Sequence, residues 1–409
     1  MRGPGNIMRM YLLLAWLLVQ PLAAFGQDSG PVVEANGEVL EGLWEGENGN
    51  IATFKGVPFA APPVGDLRWR APQPHAAREG KQSATEFAAA CMQGPHITNW
   101  YAGVAEAFGE SPDGVGKPNG VSEDCLYLNI WTPDLQPEEK LPVMVWVHGG
   151  SNKGGWSYEP NYIGDRLAAK GAVVVTITYR LGPFGFFSHP ALDNGPGKPV
   201  ANFGWLDAYE AFKWVKAHIS AFGGDPDNIT AMGESSGAGN IGDIVVGEIS
   251  EERLYRRVIV QSSGGSLTGR RTLEDEQESG KKLLQYLEIE EEGLDSARLR
   301  KIPADDLVRA TYEAMPGHYF SVVNDGLTFK QRPIEAYDHE RIAEVDLMIG
   351  TNADEWYMYI DEDSTEEDLQ AWLDKNAPRA GNILRSLVPD EQNVRGVIDR
   401  LSTAKRMLC

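Results

Sequence analysis

The pentapeptide Gly233-Glu234-Ser235-Ser236-Gly237 constrains this chain more than any other feature. It follows the apolar run Ile229-Thr230-Ala231-Met232 and precedes the small residues Ala238-Gly239-Asn240. A Gly-x-Ser-x-Gly pattern carries meaning between a strand and a helix, and this is that context. A serine in so sharp a turn presses the positions two residues either side against adjoining strands, where a Cβ would clash. Both must therefore be glycine. The turn opens a helix, whose first N–H groups favour negative charge, and the Ser236 N–H points into the space the serine oxygen faces. The spacing predicts a serine presented for attack on a carbonyl.

The rest of the chain supplies a scaffold for such a turn. Val143–Val147, Ala172–Thr178, Ile229–Met232, Val258–Val260 and Val345–Ile349 are short β-rich runs, mostly apolar on both faces, as strands of a parallel sheet covered by helices must be. Helical stretches are expected at Asn202–Phe222, Ser236–Val246, Glu274–Leu287 and Pro303–Glu313. This alternation predicts an α/β fold with a mainly parallel central sheet flanked by helices. Residues 31–131, with short alternating strands and many turns, are expected to form a small antiparallel edge and a loop-rich cap. No internal repeat or low-complexity linker divides the chain, so residues 27–409 read as one domain.

A hydroxyl needs an oxyanion hole as well as a base. His148-Gly149-Gly150-Ser151, directly after Val143–Val147, is the candidate. A glycine-rich loop there lets the backbone approach a substrate closely, and each N–H donor contributes roughly 3 kcal/mol in the transition state.

Composition narrows the class. With 409 residues, 42% of them hydrophobic, the chain can bury a large core. The formal net charge of −22 argues against nucleic acid and anionic membranes as partners. The acidic excess gathers in Glu274–Glu276, Glu288–Glu292 and Asp361–Asp368, which read as solvated faces. Residues 1–26 read as a secretory signal peptide: Arg2 and Arg9 precede the apolar Tyr11–Val19, and Ala24-Phe25-Gly26 offers small residues for cleavage. The leader is too short to span a bilayer, and no later segment has the apolar length to do so. A secreted or periplasmic location is therefore expected. There Cys91 and Cys125 can close a loop, stabilising the fold by about 3 kcal/mol, while Cys409 is left over. No spacing of histidines or cysteines supports a metal, and no phosphate loop or dinucleotide fingerprint suggests a cofactor.

Several segments resemble a known family in both content and order. They are Phe54–Pro63 with Leu67-Arg68-Trp69, Ser122–Ile130, Tyr179–Phe186, Phe222–Thr230 and the serine turn itself. Together they resemble the type-B carboxylesterases, relatives of the cholinesterases within the α/β-hydrolase fold. The resemblance implies Ser235 as nucleophile, the N–H groups of Gly150, Ser151 and Ser236 as oxyanion donors, and a Cys91–Cys125 disulfide. It also implies a carboxylate in Gly350-Thr351-Asn352-Ala353-Asp354-Glu355, where Glu355 is the candidate acid and Asp354 the second contender. Ser262 or Ser263 resembles a serine that supports this acid. Three positions depart from the family pattern. Ser151 and Ser236 replace smaller residues, so their hydroxyls are expected to narrow the site, and Asn152 replaces an aromatic at the acyl pocket.

The base is not found where the resemblance puts it. α/β-Hydrolases follow the order serine, acid, histidine. His75, His96, His148, His189, His218, His318 and His339 all precede Glu355. Leu401–Cys409 resembles the start of a block that continues, so the fold is expected to lack its C-terminal elements. The product is then expected to be weakly active or an inactive fragment, and poorly soluble. The leading expectation is an exported serine carboxylesterase acting on a small-molecule ester through an acyl-serine. The alternatives are a non-catalytic binding or adhesion-type member of the same fold, and amide or thioester hydrolysis at the same serine. Specificity would reside in loops such as Ser151–Tyr158 and Ala310–Val322.

Overall fold

The computed structural model describes residues 29–246, 253–263, 270–330, 333, 335, 344–386, 388 and 393–407. The leader, His339 and Cys409 lie outside them.

One eight-stranded sheet organises the chain. Its strands are β1 (Leu43–Glu45), β2 (Ile51–Pro58), β3 (Tyr127–Thr132), β4 (Leu141–Val147), β5 (Val173–Ile177), β6 (Gly224–Glu234), β7 (Arg257–Gln261) and β8 (Asp346–Gly350). The spatial order is β8-β7-β6-β4-β5-β3-β2-β1. The first five of these run parallel, and β3, β2 and β1 add antiparallel pairs at the far side. A separate three-stranded sheet of Val32–Ala35, Glu38–Glu41 and Lys81–Ser83, antiparallel in its first pair and parallel in its second, completes the N-terminal region. This is the α/β-hydrolase architecture expected from the sequence.

β5 shows why these residues make strands. Val173-Val174-Val175-Thr176-Ile177 is wholly β-branched, and every residue is buried, as a strand covered on both faces requires. The expected strands fall within a residue or two of the observed ones, except that β6 begins earlier, at Gly224.

The helices that matter here are α1 (His96–Ala107), α2 (Phe203–His218), α3 (Ser236–Val246), α4 (Leu273–Tyr286), α5 (Ala304–Ala314), α6 (Glu366–Asn376) and α7 (Val394–Met407). The stretch expected at Asn202–Phe222 ends its α-helix at His218 and finishes as a 3-10 turn. Thr272 caps α4 through the Asp275 N–H while Asp275 returns a bond to Thr272 N–H, a reciprocal arrangement that satisfies two end groups. α2, rich in Trp and Phe, packs in the main core beside β6. Deep in this layer Arg180 pairs with Asp207 of α2 through two guanidinium bonds at 2.7 Å. α6 and α7 build a second, smaller apolar cluster from Leu369, Leu373, Val397, Ile398 and Leu401.

One strand departs from expectation. β8 pairs with β7 as a parallel strand, but all five of its residues are exposed, Met348 at 66%. Its apolar run is not covered on both faces. Leu347, Met348 and Ile349 each keep more than half of their surface exposed.

Candidate active site

Ser235 occupies the turn between β6 and α3 with φ at 52°, in the left-handed region. For a non-glycine residue that conformation costs about 1–3 kcal/mol and persists only when its surroundings enforce it. Here they do. A Cβ on Gly237 would sit 2.2 Å from the Val147 carbonyl oxygen, and one on Gly233 would meet the Ala238 N at 2.9 Å. The backbone is thus pinned against the end of β4 on one side and its own helix on the other. Ser235 N–H also donates to the Gln261 carbonyl at the end of β7.

The candidate oxyanion loop comes from the end of β4. A Cβ on Gly149 would fall 3.1 Å from Ser235 Cβ, so glycine allows the loop to approach Ser235 closely. Ser151 and Asn152 both have left-handed φ, 60° and 52°. Among the described residues the N–H groups of Gly150, Ser151 and Ser236 donate to no other part of the chain. They remain available for an incoming oxygen.

Two of the sequence departures acquire a physical role. The Ser236 hydroxyl does not narrow the site. It is buried beneath the loop and accepts the Asn152 N–H at 3.0 Å. Asn152 likewise turns inward: its amide donates to the Phe320 carbonyl and accepts from the Asn240 amide, at 3.0 and 2.9 Å. Its carbonyl accepts Gly182 N–H, and Tyr179 hydroxyl donates to the His148 carbonyl. The loop is therefore fastened from below by a satisfied polar network.

Glu355 follows β8 and lies beyond the neighbouring strand ends. One of its oxygens, Oε1, accepts three hydrogen bonds, from the Ser262 hydroxyl, the Thr351 hydroxyl at 2.8 Å and the Asn352 N–H at 2.6 Å. Burial opposes its ionisation, but these donors outweigh it and hold the pKa below the ordinary carboxylate value. Of the two serines after β7, Ser262 bonds Glu355, the candidate acid, and among the described contacts Ser263 does not. Asp354 is exposed and interacts with Asp399 instead. Because Glu234, Gln261 and Gly350 stand in register across β6, β7 and β8, the turn, Ser262 and Glu355 share one edge of the sheet.

Glu234, the variable position of the motif, is a group the sequence did not single out. Burial raises its pKa to about 7, with further pressure from the charges of Glu355 and Glu159. Its place beside the nucleophile was the available signal. Glu159, also raised by burial, accepts the Tyr101 hydroxyl at 2.5 Å and the Trp156 N–H at 3.1 Å.

The described histidines hold other positions. His148 is buried, contacts the Gly149 carbonyl through Nδ1 at 2.9 Å and stacks on Tyr179; burial lowers its pKa to about 4. His75 pairs with Glu38, His189 lies 4.0 Å from Glu291, His218 packs on Trp214, and His318 sits between Arg271 and Phe320. None of the six described histidines bonds to Ser235 or Glu355. Cys91 and Cys125 are joined as a disulfide. No described helix is long and apolar enough to cross a membrane.

Comparison with known proteins identifies the family. The sequence profile of the carboxylesterase family matches residues 29–393. The chain is 36% identical over 368 residues to a fumonisin B1 esterase of Sphingopyxis macrogoltabida, an alignment covering 88% of this chain and 62% of that protein. It is 37% identical to a para-nitrobenzyl esterase of Bacillus subtilis, covering 80% and 64%. Among solved structures it is similar to the Geobacillus stearothermophilus carboxylesterase Est55, with a TM-score of 0.77 and 30% identity over 92% of this chain and 74% of that one. The chain thus spans somewhat less than two thirds of the length of these two curated relatives. It belongs to the carboxylesterase family.

Proposed function

We propose that this chain carries the nucleophile, the acid and the oxyanion hole of an exported serine carboxylesterase acting on small-molecule carboxylic esters. Ser235 Oγ attacks the ester carbonyl. The carbonyl oxygen becomes an anion held by the Gly150, Ser151 and Ser236 N–H groups, and the alcohol leaves with a proton. Water then cleaves the acyl-serine to the free acid. Glu355 stays ionised near neutral pH because three donors hold its charge, which fits a group that orients an imidazolium. The base is a histidine placed after Glu355 in chain order, a position that none of the seven here occupies. Residues 1–26 would direct the domain of residues 27–409 out of the cytoplasm, where the Cys91–Cys125 disulfide persists.

The observation that carries this reading is the left-handed Ser235, facing a loop whose glycine backbone nearly touches it and whose N–H groups are free. The names of the relatives support ester substrates. The test is acylation of Ser235 by p-nitrophenyl butyrate, followed by intact-mass spectrometry and peptide mapping. Without the base, turnover should fall by several orders of magnitude, so an adduct should form slowly, on Ser235, and form faster with added free imidazole. Ser235→Ala should abolish it. An adduct on another residue, or hydrolysis indifferent to Ser235→Ala, would overturn the proposal.

A further inference from the structure

Three carboxylates act on one another around the Ser235 turn, and their oxygens are used differently. Glu355 Oε1 accepts three hydrogen bonds. Glu159 has both oxygens engaged, Oε2 by the Tyr101 hydroxyl and Oε1 by the Trp156 N–H. Glu234 differs from both. Among the described residues no donor reaches its carboxylate, yet neither of its oxygens is sealed from solvent. Its lone pairs are open to water.

Its place is fixed by the backbone. Glu234 ends β6, and its side chain lies alongside the nucleophile. A Cβ built on Gly149 would stand 2.8 Å from Glu234 Oε2 and 3.1 Å from Ser235 Cβ. The carboxylate and the serine side chain therefore flank a single point on the candidate oxyanion loop. From there the carboxylate reaches an acyl group on Ser235 through one water molecule, the span over which a general base works.

The surroundings favour the protonated form. Burial raises the pKa of Glu234 first, then the charges of Glu355 and Glu159, and no described cation opposes them. The phenols of Tyr101, Tyr162, Tyr179 and Tyr359 also feel its charge, and all four are raised and so neutral. His148, beside Gly149, is neutral as well, because burial lowers its pKa to about 4. The result for Glu234 is a pKa of about 7. At that value a carboxylate is still present in its ionised form near neutral pH and is basic enough to take a proton.

We propose that Glu234 is the general base for the water that frees the acyl group from Ser235. This assignment rests on the esterase reading and adds to it a proton acceptor separate from the histidine that would activate the serine. Glu234 Oε2 takes a proton from water as the water oxygen bonds to the acyl carbon, and the acyl carbonyl oxygen becomes the anion held by the loop. When that anion collapses, the bond from carbon to Ser235 Oγ breaks. The proton then passes from Glu234 to Oγ, and the carboxylic acid leaves. No other reactant enters.

The experiment follows the acyl-serine on the whole chain. Ser235 is acylated with p-nitrophenyl butyrate and free imidazole, both are removed by desalting, and loss of the adduct is read by intact mass from pH 5 to 9. In wild type the loss should accelerate through a single ionisation near pH 7 and level off above it. Glu234→Gln should slow the loss at least tenfold at pH 8 and erase that inflection, since a general base typically contributes about a hundredfold or more. Its Ser235 should still acquire the butyryl group. Glu234→Asp should keep the inflection, at an intermediate rate. Equal rates and profiles in wild type and Glu234→Gln would overturn the assignment and leave the esterase reading standing. A wild-type adduct that decays with no inflection between pH 6 and 8, or does not decay, would overturn it too, whether or not the variants fold. Failure of any adduct to form on Ser235 would remove the esterase reading and this assignment with it.

Discussion

β5 and β8 belong to one sheet and look alike in sequence, yet they live in different environments. Val173–Ile177 lies between β4 and β3, and each of its five residues is buried. Asp346–Gly350 has β7 on one side, and Leu347, Met348 and Ile349 are 53%, 66% and 58% exposed. An apolar run reports the local preference of the backbone for an extended state. It does not report whether a helix or another strand arrives to cover it. The same distinction appears at the carboxyl ends of the strands. Glu234, at the end of the interior strand β6, is pushed up in pKa by burial, whereas Glu355, beyond the edge strand, is held down by donors despite its own burial.

The comparison can be broken by substitution, and the largest effect is expected in the interior. Just beyond β5, Arg180 and Asp207 form a buried pair. Asp207→Ala leaves the guanidinium uncompensated and should destabilise the fold by about 3–5 kcal/mol in urea unfolding. A loss under 1 kcal/mol would mean that water reaches this layer. Next comes Ile177→Ala, which removes a fully buried side chain and should cost about 2–5 kcal/mol.

A smaller, pH-dependent effect should distinguish the two carboxylates. Glu234 binds its proton more tightly in the folded state, so its contribution falls as pH rises from its ordinary 4.5 to about 7. Glu355 behaves oppositely: its stabilisation is present above 4.5 and is lost as pH drops through its lowered folded value. Unfolding at pH 5 and 7.5 should therefore show the stability of wild type relative to Glu234→Gln falling as pH rises, while the buried His148, which contributes in the opposite direction, is common to both. A difference between the two proteins that does not change with pH would rule Glu234 out as its source. The smallest effect belongs to the edge. Ile349→Lys should change stability by less than about 0.5 kcal/mol, while lowering self-association in light scattering, because a charge on an exposed strand discourages edge pairing. A large loss of stability from Ile349→Lys would show that β8 is covered in solution.

Much of the fold was legible because its signals are local. β-Branched runs and the glycines around Ser235 each act within a few residues. The order of strands and helices then admits few topologies. Glu355 could be proposed from its segment. Of the donors to its Oε1, Ser262, 93 residues away, was reached only through the family resemblance, and Thr351 and Asn352 were not read as donors at all. The inward turn of Asn152 was equally hidden. Its partners Phe320 and Asn240 lie 168 and 88 residues along the chain, and nothing in a one-dimensional pattern ties them to it. Exposure of β8 was missed for the same reason.

The bond between Ser236 and the Asn152 N–H means that the donors of the proposed oxyanion hole are assembled before anything enters the cleft. Folding, not ligand, sets the donors in place, so no reorganisation has to accompany the reaction. The loop's outer rim is then released from architectural duty. Natural variation could reshape that rim for new acyl groups while the centre of reactivity stays constant, one fixed engine beneath an exchangeable mouth.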